Sequence, residues 1–179
     1  MGGQRFRIRF GVTGVNTLAA RYMESRYGDE DGPAEAIGNA AQRRGHLTKG
    51  DLKVLGRWKS PRILRLLSSN ESKFVESVTK AALATSDEQL RIEILTLLRG
   101  VGWPMASVIL HLAHPDPYPV LDFRALWSLQ VEVPTSYDYP FWRDYVTFCR
   151  RKALDAQVTM RTLDRALWQY SKDNQPSVG

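Results

Sequence analysis

The stretch 98–129, LRGVGWPMASVILHLAHPDPYPVLDFRALWSL, decides how the rest of the chain is read. An apolar helix ends at Arg99, and Gly100-Val101-Gly102 makes a tight turn. A second helix follows, marked by Ala106, Ile109 and Leu110 at helical spacing, and a proline-rich loop then delivers a lone carboxylate, Asp122. Glycines at 100 and 102 permit unusual backbone angles and leave no side chain over the turn. Val101 can fill the angle between the helices, while Ala106 and Ser107 are small enough for close helix approach. The first N–H groups of a helix have no internal acceptor, so a turn of this kind offers donors to an anion. A purely structural hairpin with a glycine C-cap uses the same residues; the loop carrying Asp122 is what adds a chemical reading.

Charge placement points the same way. The 179-residue chain carries a formal net charge of +6. Arg43, Arg44, Lys49, Lys53, Arg57, Lys59, Arg62 and Arg65 face only Asp51 between positions 43 and 65, so this segment holds about the whole excess. A basic cluster this local is an electrostatic footprint for a polyanion. A solvated basic face is the bland alternative.

Other features exclude function classes. No apolar run approaches the ~20 residues of a membrane span, and the N-terminus shows no secretory h-region. Cys149 is the only cysteine, which rules out an internal disulfide and any four-cysteine zinc or iron–sulfur site within one chain. His111 and His114 form an i, i+3 pair without a third ligand at a suggestive spacing, so no metal site is assigned to them. The expected setting is a reducing cytoplasm, or the nucleoid in a prokaryote.

Along the chain, residues 1–14 contain the period-2 alternation Arg5-Phe6-Arg7-Ile8-Arg9-Phe10. A short strand and an ill-ordered basic N-terminal arm both fit it, and with no partner strand in view the arm is favoured. Residues 15–179 read as one compact all-α domain of nine or ten helices, near 15–27, 33–44, 48–57, 61–67, 71–84, 87–98, 104–113, 123–129, 139–155 and 160–172. Thr48 and Asp87 (or Ser86) stand as N-caps, Pro61 at a first helical position, and Gly28, Gly45 and Gly100 as helix-ending glycines. Leu90, Ile94, Leu97 and Leu98 share a helical face, as do Phe141, Tyr145, Phe148 and Leu154 less regularly. Leu121-Asp122-Phe123-Arg124-Ala125-Leu126-Trp127 is echoed by Leu163-Asp164-Arg165-Ala166-Leu167-Trp168, read as two helix starts with similar packing needs. Trp127, Trp142 and Trp168 read as core.

Leu98-Arg99-Gly100-Val101-Gly102, followed by Tyr118-Pro119-Val120-Leu121-Asp122, resembles the helix-hairpin-helix DNA glycosylase superfamily, which includes endonuclease III. The resemblance spans Asp87 to about Leu129, with the hairpin at 87–113 and the aspartate loop at 114–122. It implies a multi-helical glycosylase-like fold, double-stranded DNA with a modified or mispaired base as partner, and Asp122 as catalytic carboxylate. It also implies a monovalent cation, K+ or Na+, on the hairpin carbonyls of Arg99 and Val101. Two departures matter. Trp103-Pro104-Met105 occupies the place where bifunctional members carry a Schiff-base lysine, and the iron–sulfur cysteines are missing. The resemblance therefore implies a monofunctional, monomeric enzyme without a cofactor, with strand cleavage by imine chemistry not expected.

The expected chemistry follows from charge. Breaking an N-glycosidic bond develops positive charge on the sugar, and a carboxylate near the anomeric carbon stabilises it and orients or deprotonates water. The target must leave the base stack first. Asp122 as an N-cap for the helix after it is the structural alternative, and the two roles can coexist. Gly100, Val101, Gly102 and Met105, with Lys53, Arg57, Lys59 and Arg62, are the candidate phosphate contacts. Trp58 and Trp103 are candidates to stack on an extruded base or wedge the duplex. Lys59 is the candidate substitute amine. Arg124 is read as a partner for the carboxylate or a phosphate, or as half of a surface ion pair. A non-catalytic DNA-binding module, or a helical protein-interaction domain meeting an acidic partner, would display the same basic segment.

Overall fold

The apolar periodicity that starts at Val15 is realised as ten α-helices and two 3-10 turns among the described residues, 6–176, of the computed structural model, with no strand among them. In chain order they are α1 (Val15–Met23), α2 (Arg26–Arg44), α3 (Lys49–Lys59), α4 (Leu64–Ser68), α5 (Ser72–Ala84), α6 (Glu88–Leu95), α7 (Trp103–Ala113), α8 (Phe123–Ser128), α9 (Tyr139–Asp155) and α10 (Met160–Asn174). The fold is all-α; α2 starts at Arg26, inside the first expected helix and ahead of the expected start at 33, and the other helices lie near where the sequence places them. Capping chemistry sets many of the starts. Thr48 Oγ1 accepts from Asp51 N at 3.1 Å while Asp51 Oδ2 accepts from Thr48 N at 2.8 Å, closing a capping box. Asp87, Asp138 and Thr159 accept from Leu90 N, Phe141 N and Thr162 N and so cap α6, α9 and α10. Each such cap is worth about 1 kcal/mol.

The single domain expected over 15–179 is instead two compact units. The first joins residues 1–28 to 119–179, and the second is Asp29–Tyr118. In the first unit α10 packs against α1, α8 and α9. Trp142, Tyr145 and Phe141 are its largest buried side chains. In the second, α7 is buried at every position from Met105 to Leu110 and packs against α6 and α3. An all-round apolar helix must be enclosed in this way.

Residues 6–14 do not form a disordered arm; Arg5 lies outside the described residues. Phe6 is 3% exposed, its ring 5.7 Å from those of Phe141 and Phe148 and 5.9 Å from Tyr145. Arg7 N and Arg9 N donate to Leu129 O and Ser128 O at 3.0 and 2.9 Å. The alternation is a real extended segment whose partner is the end of a helix rather than a second strand.

Gly28 does not end a helix. Helix α1 stops at Met23 and Gly28 is the third residue of α2, where a Cβ would come 2.4 Å from the Met23 carbonyl oxygen. The glycine permits close approach of two successive helices, and α2 then runs through Pro33 without that residue's N–H. Helix α6 is shorter than expected. After Leu95 the chain tightens to three-residue spacing, with Leu97 N and Leu98 N donating to Ile94 O and Leu95 O at 3.2 Å each. The face buried there is Ile92, Leu95 and Leu98, while Leu90 and Leu97 are exposed, as Leu154 is on α9. Only Trp142 of the three expected core tryptophans is fully buried; Trp127 and Trp168 are half-buried under Arg9 and Arg124, whose guanidinium carbons lie 4.4 and 5.1 Å from their ring centres.

Candidate functional site

The hairpin turn belongs to the second unit, and its shape is imposed from beneath. Gly100 sits at φ +82°, a conformation that disfavours any residue with a Cβ. A Cβ there would also meet Leu66 Cβ at 2.9 Å and Leu67 Cδ2 at 3.1 Å, so α4 forms the floor of the turn. Asn70, 4% exposed, clamps Arg99 from both sides: its Oδ1 accepts from Arg99 N at 2.8 Å and its Nδ2 donates to Arg99 O at 2.9 Å. Val101 N donates to Leu98 O at 3.0 Å and the Val101 side chain is buried, as expected of a plug between helices.

Gly102 differs from Gly100. Its φ of −90° is ordinary, so its value as a glycine is space: a Cβ would meet only Pro104 Cδ, at 3.9 Å, and the residue is exposed. It precedes α7, whose first turn comprises Trp103, Pro104 and Met105. Met105 turns its side chain into the core, leaving only its N–H at that helix end. Ala106 and Ser107 are fully buried, and Ser107 Oγ donates to Pro104 O at 2.7 Å.

The basic candidates lie on the elements that pack with the hairpin's floor. Lys49, Lys53 and Arg57 recur every four residues along α3, with Lys53 and Arg57 exposed and Lys49 half-buried. Arg62 is exposed on the 3-10 turn Pro61–Ile63 and Arg65 on α4, beside the residues that floor Gly100. Arg44 is not part of this set, because it pairs with Asp51. Lys59, the candidate amine, is half-buried at the end of α3.

Trp58 donates from Nε1 to Asp31 Oδ1 at 3.0 Å, and Asp31 is buried. With Glu30, Pro33, Ala34, Val54, Arg57 and Pro61, Trp58 lines a groove of about 480 Å³. Arg99 lines a different groove of about 270 Å³ with Ser69, Asn70, Glu71, Phe74 and Leu97. The two features singled out in the sequence, ring and hairpin, therefore open onto separate grooves. Trp103, the other aromatic candidate, is half-buried at the first position of α7.

Of the two carbonyls expected to hold a cation, Arg99 O already accepts from the Asn70 amide, which takes up one of its two lone pairs. Among the described residues no group of three or more His, Cys, Asp or Glu side chains could hold a metal ion.

Asp122 belongs to the first unit, half-buried at the start of α8. Its backbone is extended, at φ −154° and ψ 149°, and its Oδ1 accepts from Arg124 N at 2.7 Å and Ala125 N at 3.3 Å. The N-cap role is thus realised. Its negative charge helps to raise the phenol pKa of Tyr137, after the larger effect of burial. Arg124 lies over the rings of Phe123 and Trp168, at 5.0 and 5.1 Å, and approaches Ser171 Oγ at 3.5 Å.

Upstream of Asp122, Val120 is gripped at both polar atoms. Its N–H donates to Asp164 Oδ1 at 3.2 Å, and its carbonyl accepts from Tyr145 Oη at 2.8 Å. Asp164 pairs in turn with Arg161 at 3.1 Å, and the Tyr145 hydroxyl is hydrogen-bonded with the buried Cys149 thiol, whose pKa burial pushes well up. In the preceding loop, Tyr118 Oη accepts from Arg91 Nη1 at 2.5 Å and donates to Glu88 Oε1 at 3.0 Å. His111 Nδ1 lies 2.6 Å from Tyr118 O.

Asn70, Asp164, Tyr145 and Asp31 are not site residues in the sequence reading, where Tyr145 is named only as part of a helical face. Asn70 sits in a polar Ser-Ser-Asn-Glu-Ser run that reads as a loop, and Asp164 is visible only as half of the internal echo. No protein-family model, curated protein or solved structure matches the chain.

Proposed function

We propose that the chain is a monofunctional DNA N-glycosylase that excises a damaged, mispaired or modified base. The observation that carries this reading is the built hairpin. A left-handed glycine is floored by α4 and clamped by Asn70, and it leads into an exposed Gly102 at the N-terminus of the buried α7. Rigid backbone of this kind suits a sugar-phosphate chain approaching within contact of the turn. Lys53, Arg57, Arg62 and Arg65 add the charge that a duplex neutralises.

In this reading Asp122 supplies the chemistry. The C1′–N bond breaks with its electron pair leaving on the base, the carboxylate stabilises the resulting oxocarbenium-like sugar, and water adds at C1′ while its proton passes to Asp122. The capping bonds to Oδ1 fix the carboxylate's orientation without removing its charge. Trp58, with its indole N–H committed to Asp31, presents its ring to the groove as the stacking surface for an extruded base. The partner is double-stranded DNA and the enzyme works as a monomer in the cytoplasm or nucleoid. No helix among the described residues is long and apolar enough to cross a membrane.

A panel of modified-base duplexes, scored for heat- or alkali-labile breaks, tests the reading. Wild type should generate abasic sites on at least one duplex, and Asp122→Asn should abolish this while DNA affinity stays within a few-fold. Borohydride should trap no protein–DNA adduct; trapping that disappears in Lys59→Ala would make the enzyme bifunctional through that amine. Asp122's capping role keeps a second reading in play, a non-catalytic DNA-binding module, and this is the result if no duplex in the panel is cleaved while binding retains a steep salt dependence.

A further inference from the structure

We propose that Asp164 and Tyr145 are positioning residues for Asp122, a role that rests on reading Asp122 as the carboxylate acting on the sugar. The two side chains reach Val120 from different helices, Asp164 from α10 and Tyr145 from α9. Between them they take up both the N–H and the C=O of a single buried residue. Leu121, next in the chain, is fully buried, and Asp122 follows with its own carboxylate bound to Arg124 N and Ala125 N. The aspartate is therefore fixed from both directions, upstream through Val120 and downstream through its cap.

The supports are themselves supported. Arg161 Nη1 holds Asp164 Oδ2 at 3.1 Å, leaving Oδ1 for Val120. Tyr145 is fully buried and engages Cys149 as well as Val120. A bond to a buried backbone group is costly to leave unmade, so neither side chain can turn away without stranding Val120. Rigid placement is what a carboxylate near a developing charge requires, since a displacement of about 1 Å can cost on the order of 100-fold in rate.

The test compares Tyr145→Phe, Asp164→Ala and the conservative Asp164→Asn, which keeps an acceptor for Val120 N while giving up the charge that Arg161 pairs with. On a duplex that wild type cleaves, kcat for base release should fall about 10-fold in Tyr145→Phe and about 100-fold in Asp164→Ala. Asp164→Asn should stay within about threefold of wild type, and KM and duplex affinity within about twofold in all three, a split that general destabilisation would not produce. The carboxyl carbon resonance of Asp122, assigned with Asp122→Asn, supplies a readout that needs no turnover. It should shift or broaden in Tyr145→Phe and Asp164→Ala and hold its place in Asp164→Asn. Unchanged kcat together with an unchanged Asp122 resonance in Tyr145→Phe and Asp164→Ala overturns the proposal. If wild type cleaves no duplex, the glycosylase reading fails by itself, and the Asp122 resonance alone decides whether Asp164 and Tyr145 position it.

Discussion

Leu121-Asp122 and Leu163-Asp164 begin two nearly identical stretches of sequence, yet the two aspartates do different work. The apolar positions behave alike: Leu121 and Leu163 are buried, as are the Ala-Leu pairs 125–126 and 166–167, and Trp127 and Trp168 are both half-buried. Ser128, the residue after the first copy, donates from Oγ to Leu167 O in the second at 2.6 Å. The carboxylates diverge because of where each helix starts. Asp122 is the cap of α8 and spends Oδ1 on that helix's first N–H groups. Helix α10 is already capped by Thr159, four residues before Leu163, so Asp164 has no unsatisfied N–H of its own helix within reach. It turns instead to Val120 N and Arg161. Reading both as helix starts is therefore correct for the first copy only. An aspartate's role is set by its register relative to the cap, and a matching run of neighbours does not fix that register.

The comparison breaks first at the level of chemistry. Asp122→Asn should lower base release by about three orders of magnitude, on the scale of losing a principal transition-state stabiliser, while Asp164→Asn stays within a few-fold. Single-turnover assays at saturating duplex decide the matter, and a loss that follows position 164 rather than 122 would assign the chemistry to the wrong aspartate. Stability should rank the pair the other way. Asp164→Ala strands Val120 N–H and removes the Arg161–Asp164 ion pair, a loss of about 2–3 kcal/mol by urea titration, whereas the cap at 122 is worth about 1 kcal/mol.

Tyr145 sharpens the contrast through pH. Its buried phenol and the Cys149 thiol it bonds both have pKa values raised by burial. In the unfolded chain these groups ionise near 10 and 9, while the folded protein keeps both protons. The unfolded state then binds fewer protons, so stability is full below about pH 9 and falls by about 1.4 kcal/mol per pH unit for each group above that group's own unfolded value, near 9 for Cys149 and near 10 for Tyr145. Tyr145→Phe should make alkaline unfolding measurably shallower, and an unaltered slope would mean that the hydroxyl is not held as described.

The sequence was most legible where one signal sufficed. Most of the ten helices follow from apolar spacing and caps such as Thr48 and Asp87, and the turn before α7 is visible in Gly100-Val101-Gly102. What stayed hidden depends on two distant segments at once. Asn70 is 29 residues from Arg99, and Asp164 is 44 from Val120, and neither partner changes the local pattern of the other. Residues 6–14 are hidden in the same way, since the acceptors of Arg7 N and Arg9 N are the carbonyls of Leu129 and Ser128. Leu90, Leu97 and Leu154 stand exposed although they share helical spacing with buried residues, because spacing shows which residues share a face and not how far that face is covered.

The smallest effect separates the two jobs of Asp122 from each other. Serine is as good an N-cap as aspartate, and alanine is a poor one. Asp122→Ser should therefore leave stability within about 0.5 kcal/mol of wild type, whereas Asp122→Ala loses about 1 kcal/mol. Neither carries a charge, so base release should be equally absent in both. Thermal or urea unfolding beside the cleavage assay gives both numbers from the same preparations. If Asp122→Ser restored base release along with the cap, the residue would act only by starting α8, and its negative charge would have no part in the chemistry.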